Sequence, residues 1–320
     1  MPIQTEQSII KALAYFDIFN YPLTQEEIYS FLDQPVAMDK LAPALQQLVD
    51  DQRIFRLGNF YSLQPDAALR TRRINGNNKA TVLLRTAYKA GGFLFQFPFV
   101  RGIGISGSLS KNFADQQTDI DFFIITRSNR LWIARTLMHL FKKLTFITGH
   151  QHWYCMNYYI DEEAMLIDEQ NIFTATELIT LLPVCGNGTM DRFYDKNNWT
   201  YDYFPNQTVR KHSMLLSRST WFKKTVEWLL DNKMGNALDD LLMRITTRRW
   251  RKKEQQHKTN AHGNRMGLHT GKHFSKPNPE FFQKKVLESL DKKLMEADEV
   301  FGVRREKVSG QRAVGSRQGE

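Results

Sequence analysis

The stretch Gly104-Ile105-Ser106-Gly107-Ser108-Leu109-Ser110-Lys111-Asn112, followed five residues later by Thr118-Asp119-Ile120-Asp121-Phe122-Phe123, decides how this chain is read. An apolar run from Val100 to Ser106 leads into the Gly-Ser turn, and the two aspartates open a second apolar run that ends at Thr126. Side chains at positions i and i+2 of a strand project from one face, so Asp119 and Asp121 present two carboxylates side by side. Such a pair repels itself unless neutralised, and divalent cations neutralise it. Glycine lets the backbone approach a phosphate closely, while free N–H groups and the Ser108 hydroxyl hold its oxygens. A phosphate clamp beside a cation site is what in-line phosphoryl or nucleotidyl transfer needs.

Working outward, the pattern stays α/β for one more unit. Ser128 or Asn129 caps a helix through Lys143, with Leu131, Ile133, Ala134, Leu137, Leu140 and Phe141 expected to be buried, and His152 to Ile160 reads as a third strand. Helices follow over Thr174–Leu182, Met190–Asn197, Ser217–Asp231, Asn236–Lys253 and Pro279 to Val300. Gln255 to Pro279 reads as a loop or a segment ordered by a ligand, and the tail after Arg304 as disordered. Upstream, Ile9, Ile10, Leu13, Phe16 and Phe19 repeat at helical spacing. Thr24 with Glu27 forms a capping box for a second helix, and a third spans about Asp39 to Asp50. Short strands over Arg53–Leu57 and Phe60–Leu63 flank a Gly58-Asn59 turn. A polar helix from Pro65 to about Lys89 is closed by Gly91-Gly92. The expected class is α+β in three parts: a small helical module (1–64), a mixed-sheet domain with its leading helix (65–170) and a basic helical domain (171–303), with a disordered tail over 304–320.

Charge is concentrated in one segment. The 320 residues carry a net +10, yet Gln207–Lys276 alone holds 16 Lys and Arg against 5 Asp and Glu, a net of +11. The remainder carries 28 against 29, a net of −1. That surface suits a polyanion, RNA or an anionic lipid face among them. No apolar run reaches the roughly 18 residues that span a bilayer, and the first residues lack the basic start and apolar core of a secretion signal. Cys155 and Cys185 are too few for a disulfide framework. A cytoplasmic protein is expected.

The combination of Gly107-Ser108 with Asp119-x-Asp121, strand on both sides, resembles the nucleotidyltransferase superfamily, whose best-known member is DNA polymerase beta; the flanking residues look like its small stand-alone bacterial branch. The likeness covers Val100 to Asp161. It implies that Gly107 and Ser108 hold the β- and γ-phosphates of a nucleoside triphosphate, that Asp119 and Asp121 coordinate two Mg²⁺, and that Lys111 reaches a phosphate. The activity implied is Mg²⁺-dependent transfer of a nucleoside monophosphate to the hydroxyl of an unidentified acceptor. The helix-helix-helix-hairpin order of residues 1–64 resembles a winged helix; its third helix carries Asp39, Asp50 and Asp51 against Lys40, which favours a protein partner over DNA.

The likeness breaks at one place. Such enzymes carry a third acidic residue in the middle of the next strand, where it helps deprotonate the attacking hydroxyl. Here that position holds Asn157, and the nearest carboxylates are Asp161, Glu162 and Glu163 at the strand end. Either Asp161 substitutes, or the base is missing and the chain is a nucleotide-binding or regulatory protein with weak or lost catalysis. Two further features read blandly. His257, His262, His269 and His273 fit no zinc spacing. Trp221, Trp228 and Trp250, among Leu229, Leu230, Leu241, Leu242 and Ile245, read as core.

Overall fold

The computed structural model describes residues 2–145, 153–207, 219–256, 268–277 and 280–301. Three helices, α1 (Pro2–Asp17), α2 (Gln25–Ser30) and α3 (Met38–Asp50), precede a hairpin of β1 (Phe55–Leu57) and β2 (Phe60–Ser62). The long α4 (Ala68–Leu94) leads to β3 (Val100–Ser106), the one-turn α5 (Gly107–Ser110), β4 (Asp121–Thr126), α6 (Leu131–Thr145) and β5 (Cys155–Asp161). Then come α7 (Ile172–Thr180), β6 (Leu182–Cys185), α8 (Asn187–Lys196), α9 (Trp221–Leu230), α10 (Lys233–Gln255), β7 (Leu268–Thr270), β8 (Phe274–Pro277) and α11 (Glu280–Phe301). The fold is mixed α+β.

Its centre is a six-stranded sheet of order β6-β3-β4-β5-β8-β7. Only β4 and β5 run parallel, joined through α6; the other neighbours are antiparallel. Both faces of β4 are covered, which is why Phe122-Phe123-Ile124-Ile125 is continuously apolar rather than alternating. Phe122 and Ile124 join one core with Ile103, Ile105, Trp132 and Leu94. Phe123 and Ile125 join another, which includes Ile9, Phe16, Leu41 and Leu178. The N-terminal helices therefore share a core with the sheet.

The Thr24–Glu27 capping box is present, and Glu27 does double duty. Its carboxylate also receives Arg73 at 2.6 Å, and Arg73, buried on α4, donates to Pro22 O at 2.6 Å and lies over the Tyr21 ring at 3.7 Å. At the other end, Arg130 donates to Leu230 O, Asn232 O and Asn236 Oδ1, clamping the α9–α10 turn to the start of α6. Asp239 Oδ1 caps the same helix by accepting from Ile133 N at 2.8 Å.

Five expectations need correction. The sheet is not confined to residues 65–170, because β6, β7 and β8 come from beyond them. Part of the expected loop over 255–279 is thereby an edge hairpin; its strands are too short to show alternation. The Gly91-Gly92 pair does not end α4, which continues to Leu94. A Cβ on Gly91 would lie 2.9 Å from Val184 and 3.2 Å from Phe122, so this glycine serves close approach of helix to sheet. Leu140 is exposed. Trp221 and Trp228 are also not core: each is 78% exposed. His150, His152, His257, His262 and the 304–320 tail lie outside the described residues.

Candidate functional site

The quoted stretch folds into one corner of the sheet. β3 ends at Ser106, paired antiparallel with Asp121, the first residue of β4. The chain turns at Gly107 with φ +71°, a conformation that disfavours any side chain. A Cβ there would stand 2.7 Å from Asp121 Oδ2. Glycine is thus required twice, by the backbone and by the carboxylate lying over it. The turn is locked through the Gly107 carbonyl, which accepts from Ser110 Oγ at 2.8 Å and Lys111 Nζ at 3.1 Å. Ser108 sits exposed on it.

Asp119 lies two residues before β4, outside the strand on which it was expected to share a face with Asp121, but close enough to act electrostatically on it. Burial, with the Asp119 and Glu177 charges adding to it, pushes the Asp121 carboxyl up to about 6. On the far side, β5 runs parallel with Cys155 opposite Asp121. The register then slips: Met156 pairs with Phe122 and Tyr158 with Phe123, leaving Asn157 as an extra, bulged residue. A bulge re-aims a side chain. Here it points Asn157 Nδ2 at Asp121 Oδ1, 2.7 Å away, while Cys155 Sγ donates to Asn157 Oδ1 at 3.3 Å. Burial and the Asp121 charge push the Cys155 thiol up to about 12, so it stays protonated.

The structure brings Gly107 against Asp121 on the turn that carries Ser108 and Lys111, leaves Asp119 within electrostatic reach, and places Asp161 elsewhere. Asp161 pairs with Thr126, at the opposite end of β4 from Asp121. Five residues of strand separate the two levels, roughly 17 Å. Asp161 is fully buried and accepts from Asn129 N, Glu163 N and His273 Nδ1, each at 2.9 Å. It is a structural anchor, out of reach of the aspartate pair. Glu162 is paired with Arg192 at 2.8 Å. Lys111 stays at the turn, its Nζ donating to the Gly107 carbonyl at 3.1 Å and to Glu177 at 2.8 Å.

Glu177 and Lys142 are the residues that sequence reasoning missed. Glu177, on α7, holds Lys111 against the turn and raises Asp121; Lys142, on α6, acts on Asp121 in the opposite sense. Neither lies near the motif in sequence, and no local pattern marks them. Beyond the turn, a cleft of about 360 Å³ is lined by Tyr21, Glu27, Phe31, Leu109, Lys111 and Asn112 among others. It meets the corner only through the turn residues.

The two carboxylates, with a glycine bend beside them, suit one Mg²⁺ shared with phosphate oxygens, the way this ion is commonly held by few protein ligands. Among the described residues no three His, Cys, Asp or Glu side chains gather as a metal-binding group. Compared with protein-family models, curated proteins and solved structures, the chain matches none.

Proposed function

We propose that this corner binds a nucleoside triphosphate with a divalent cation, as a nucleotidyltransferase-like domain in which group transfer is weak or lost. The observation that carries this reading is Asn157: the side chain facing Asp121 from the adjacent strand is an amide, which cannot accept the acceptor's proton. Asp119 and Asp121 would hold the cation, and the turn at Gly107-Ser108 would receive the β- and γ-phosphates. When bound, the cation would neutralise phosphate charge. Residues 1–64 would serve as a winged-helix-like module for a protein partner. The basic C-terminal helices would complete the arrangement, with β6 to β8 tying that part to the central sheet.

The test is titration of the full chain with a non-hydrolysable triphosphate and Mg²⁺, in wild type and Asp119→Ala/Asp121→Ala. Cation-dependent binding lost in the double variant supports the reading. Binding that the substitutions leave unchanged removes it.

A second reading, nucleotidyl transfer itself, draws on Glu177, whose charge is felt at Asp121. The acceptor oxygen would attack the α-phosphorus, the bond to the bridging oxygen would break, and pyrophosphate would leave while a carboxylate took the hydroxyl proton. Pyrophosphate release abolished by Glu177→Gln would favour it over the first.

A further inference from the structure

α9 is inside out. Its protein-facing side carries Lys223, Val226, Glu227 and Leu230, and the two charged groups there are engaged. Lys223 is buried, donating to Phe95 O at 2.7 Å and Val100 O at 2.8 Å, and Glu227 pairs with Arg101 at 2.9 Å. The outward side, at positions i, i+1, i+4, i+7 and i+8, carries Trp221, Phe222, Thr225, Trp228 and Leu229. All five are exposed. A helix packed only for stability does the reverse.

The next helix continues the theme. Met234, Leu241 and Ile245 are exposed on α10, on the same side as Arg244, Arg248 and Lys252 one to three turns further on. The Arg130 clamp holds the junction of the two helices rigidly to the sheet domain.

From this juxtaposition we propose that the exposed side of α9 and the first half of α10 dock on an anionic membrane surface. The aromatic and aliphatic side chains would enter the interface, and the cations of α10 would meet lipid headgroups. Tryptophan is favoured at that depth because its ring is apolar while its N–H stays wet. Residues 219–256, which hold the two helices, carry nine Lys and Arg against five Asp and Glu, and this excess supplies the attraction to negative lipid. No helix among the described residues is long and apolar enough to cross a membrane, so the contact is docking on one leaflet. RNA fits the cations but not the rest: bases stack on Trp, yet exposed Leu229, Met234, Leu241 and Ile245 find nothing apolar on a phosphate backbone. The proposal is independent of the nucleotide reading.

Flotation of the full chain with phosphatidylcholine vesicles, with and without a phosphatidylglycerol fraction, tests it. The protein is expected to float with the anionic vesicles and not with the neutral ones. Trp221→Ser/Trp228→Ser, at exposed positions that leave the melting temperature unchanged, is expected to weaken partitioning by about tenfold or more. Arg244→Gln/Arg248→Gln is expected to weaken it too, and added salt to weaken it further. Failure to float with anionic vesicles overturns the proposal, as does flotation insensitive to the tryptophan pair. Two other results overturn it as well. One is tighter binding to a single-stranded RNA that depends on the arginines and not the tryptophans. The other is a concentration-dependent dimer that the tryptophan substitutions abolish.

Discussion

Asn157 Nδ2 donates to Asp121 Oδ1 across 2.7 Å, from a bulge in the parallel neighbour strand. An amide N–H there stabilises the carboxylate's charge in the way a cation would, without offering a proton acceptor. Asn157→Asp would set a third carboxylate beside Asp119 and Asp121. It is expected to raise Mn²⁺ or Mg²⁺ affinity about tenfold, measured by calorimetry, and to make pyrophosphate release detectable. Unchanged cation affinity would mean that position 157 does not face the ion.

Ionisation of Asp121 is expected to set the pH dependence of binding. Burial and the neighbouring acids raise this carboxyl from its ordinary 3.8 to about 6. The folded state therefore holds the proton to higher pH than the unfolded chain. The stability this contributes is full below the ordinary value and lost as pH rises to about 6. Asp121→Asn should accordingly melt higher than wild type above about pH 7, by on the order of 1–2 kcal/mol. Cation-dependent triphosphate binding should strengthen as pH rises through 6 in wild type and stay weak in the variant. Thermal melts and titrations across that range decide it.

Gly107→Ala meets two obstacles at once, a φ of +71° and Asp121 Oδ2 at 2.7 Å from the new methyl. The expected cost is about 1–3 kcal/mol, visible as a lower melting temperature. Triphosphate binding should be lost as well, because the carboxylate must move.

For Asp161 a structural role predicts a different signature. Asp161→Ala leaves the N–H groups of Asn129 and Glu163 and the His273 ring without their acceptor. A loss of about 3 kcal/mol is expected, with triphosphate affinity retained in the protein that remains folded. Lost affinity at unchanged stability would return Asp161 to the site.

Arg73 couples the N-terminal helices to α4 through Glu27, Pro22 and Tyr21. Arg73→Ala leaves Thr24 N as the donor to the Glu27 carboxylate and is expected to cost about 1.5–3 kcal/mol, read by denaturant titration. A change within a few tenths would show that the two parts are energetically independent.

What the sequence determined by itself is local. The Gly107 turn, the aspartate pair at one strand's entrance, the Thr24 capping box and the apolar run of β4 each follow from residues a few positions apart, where backbone geometry decides. Only tertiary structure decided the rest. Asp161 was excluded by strand register, which fixes it at the wrong end of β4; Asn157 was aimed by a bulge that no residue type announces. Glu177 and Lys142 reached Asp121 from separate helices, and β6 to β8 were recruited to the sheet as short edge strands without a pattern of their own. The tryptophans show the same limit. Helical spacing says which side chains share a face, but whether that face meets protein or solvent depends on what packs beneath it, and under α9 that is the ion pair of Glu227 and the buried amine of Lys223.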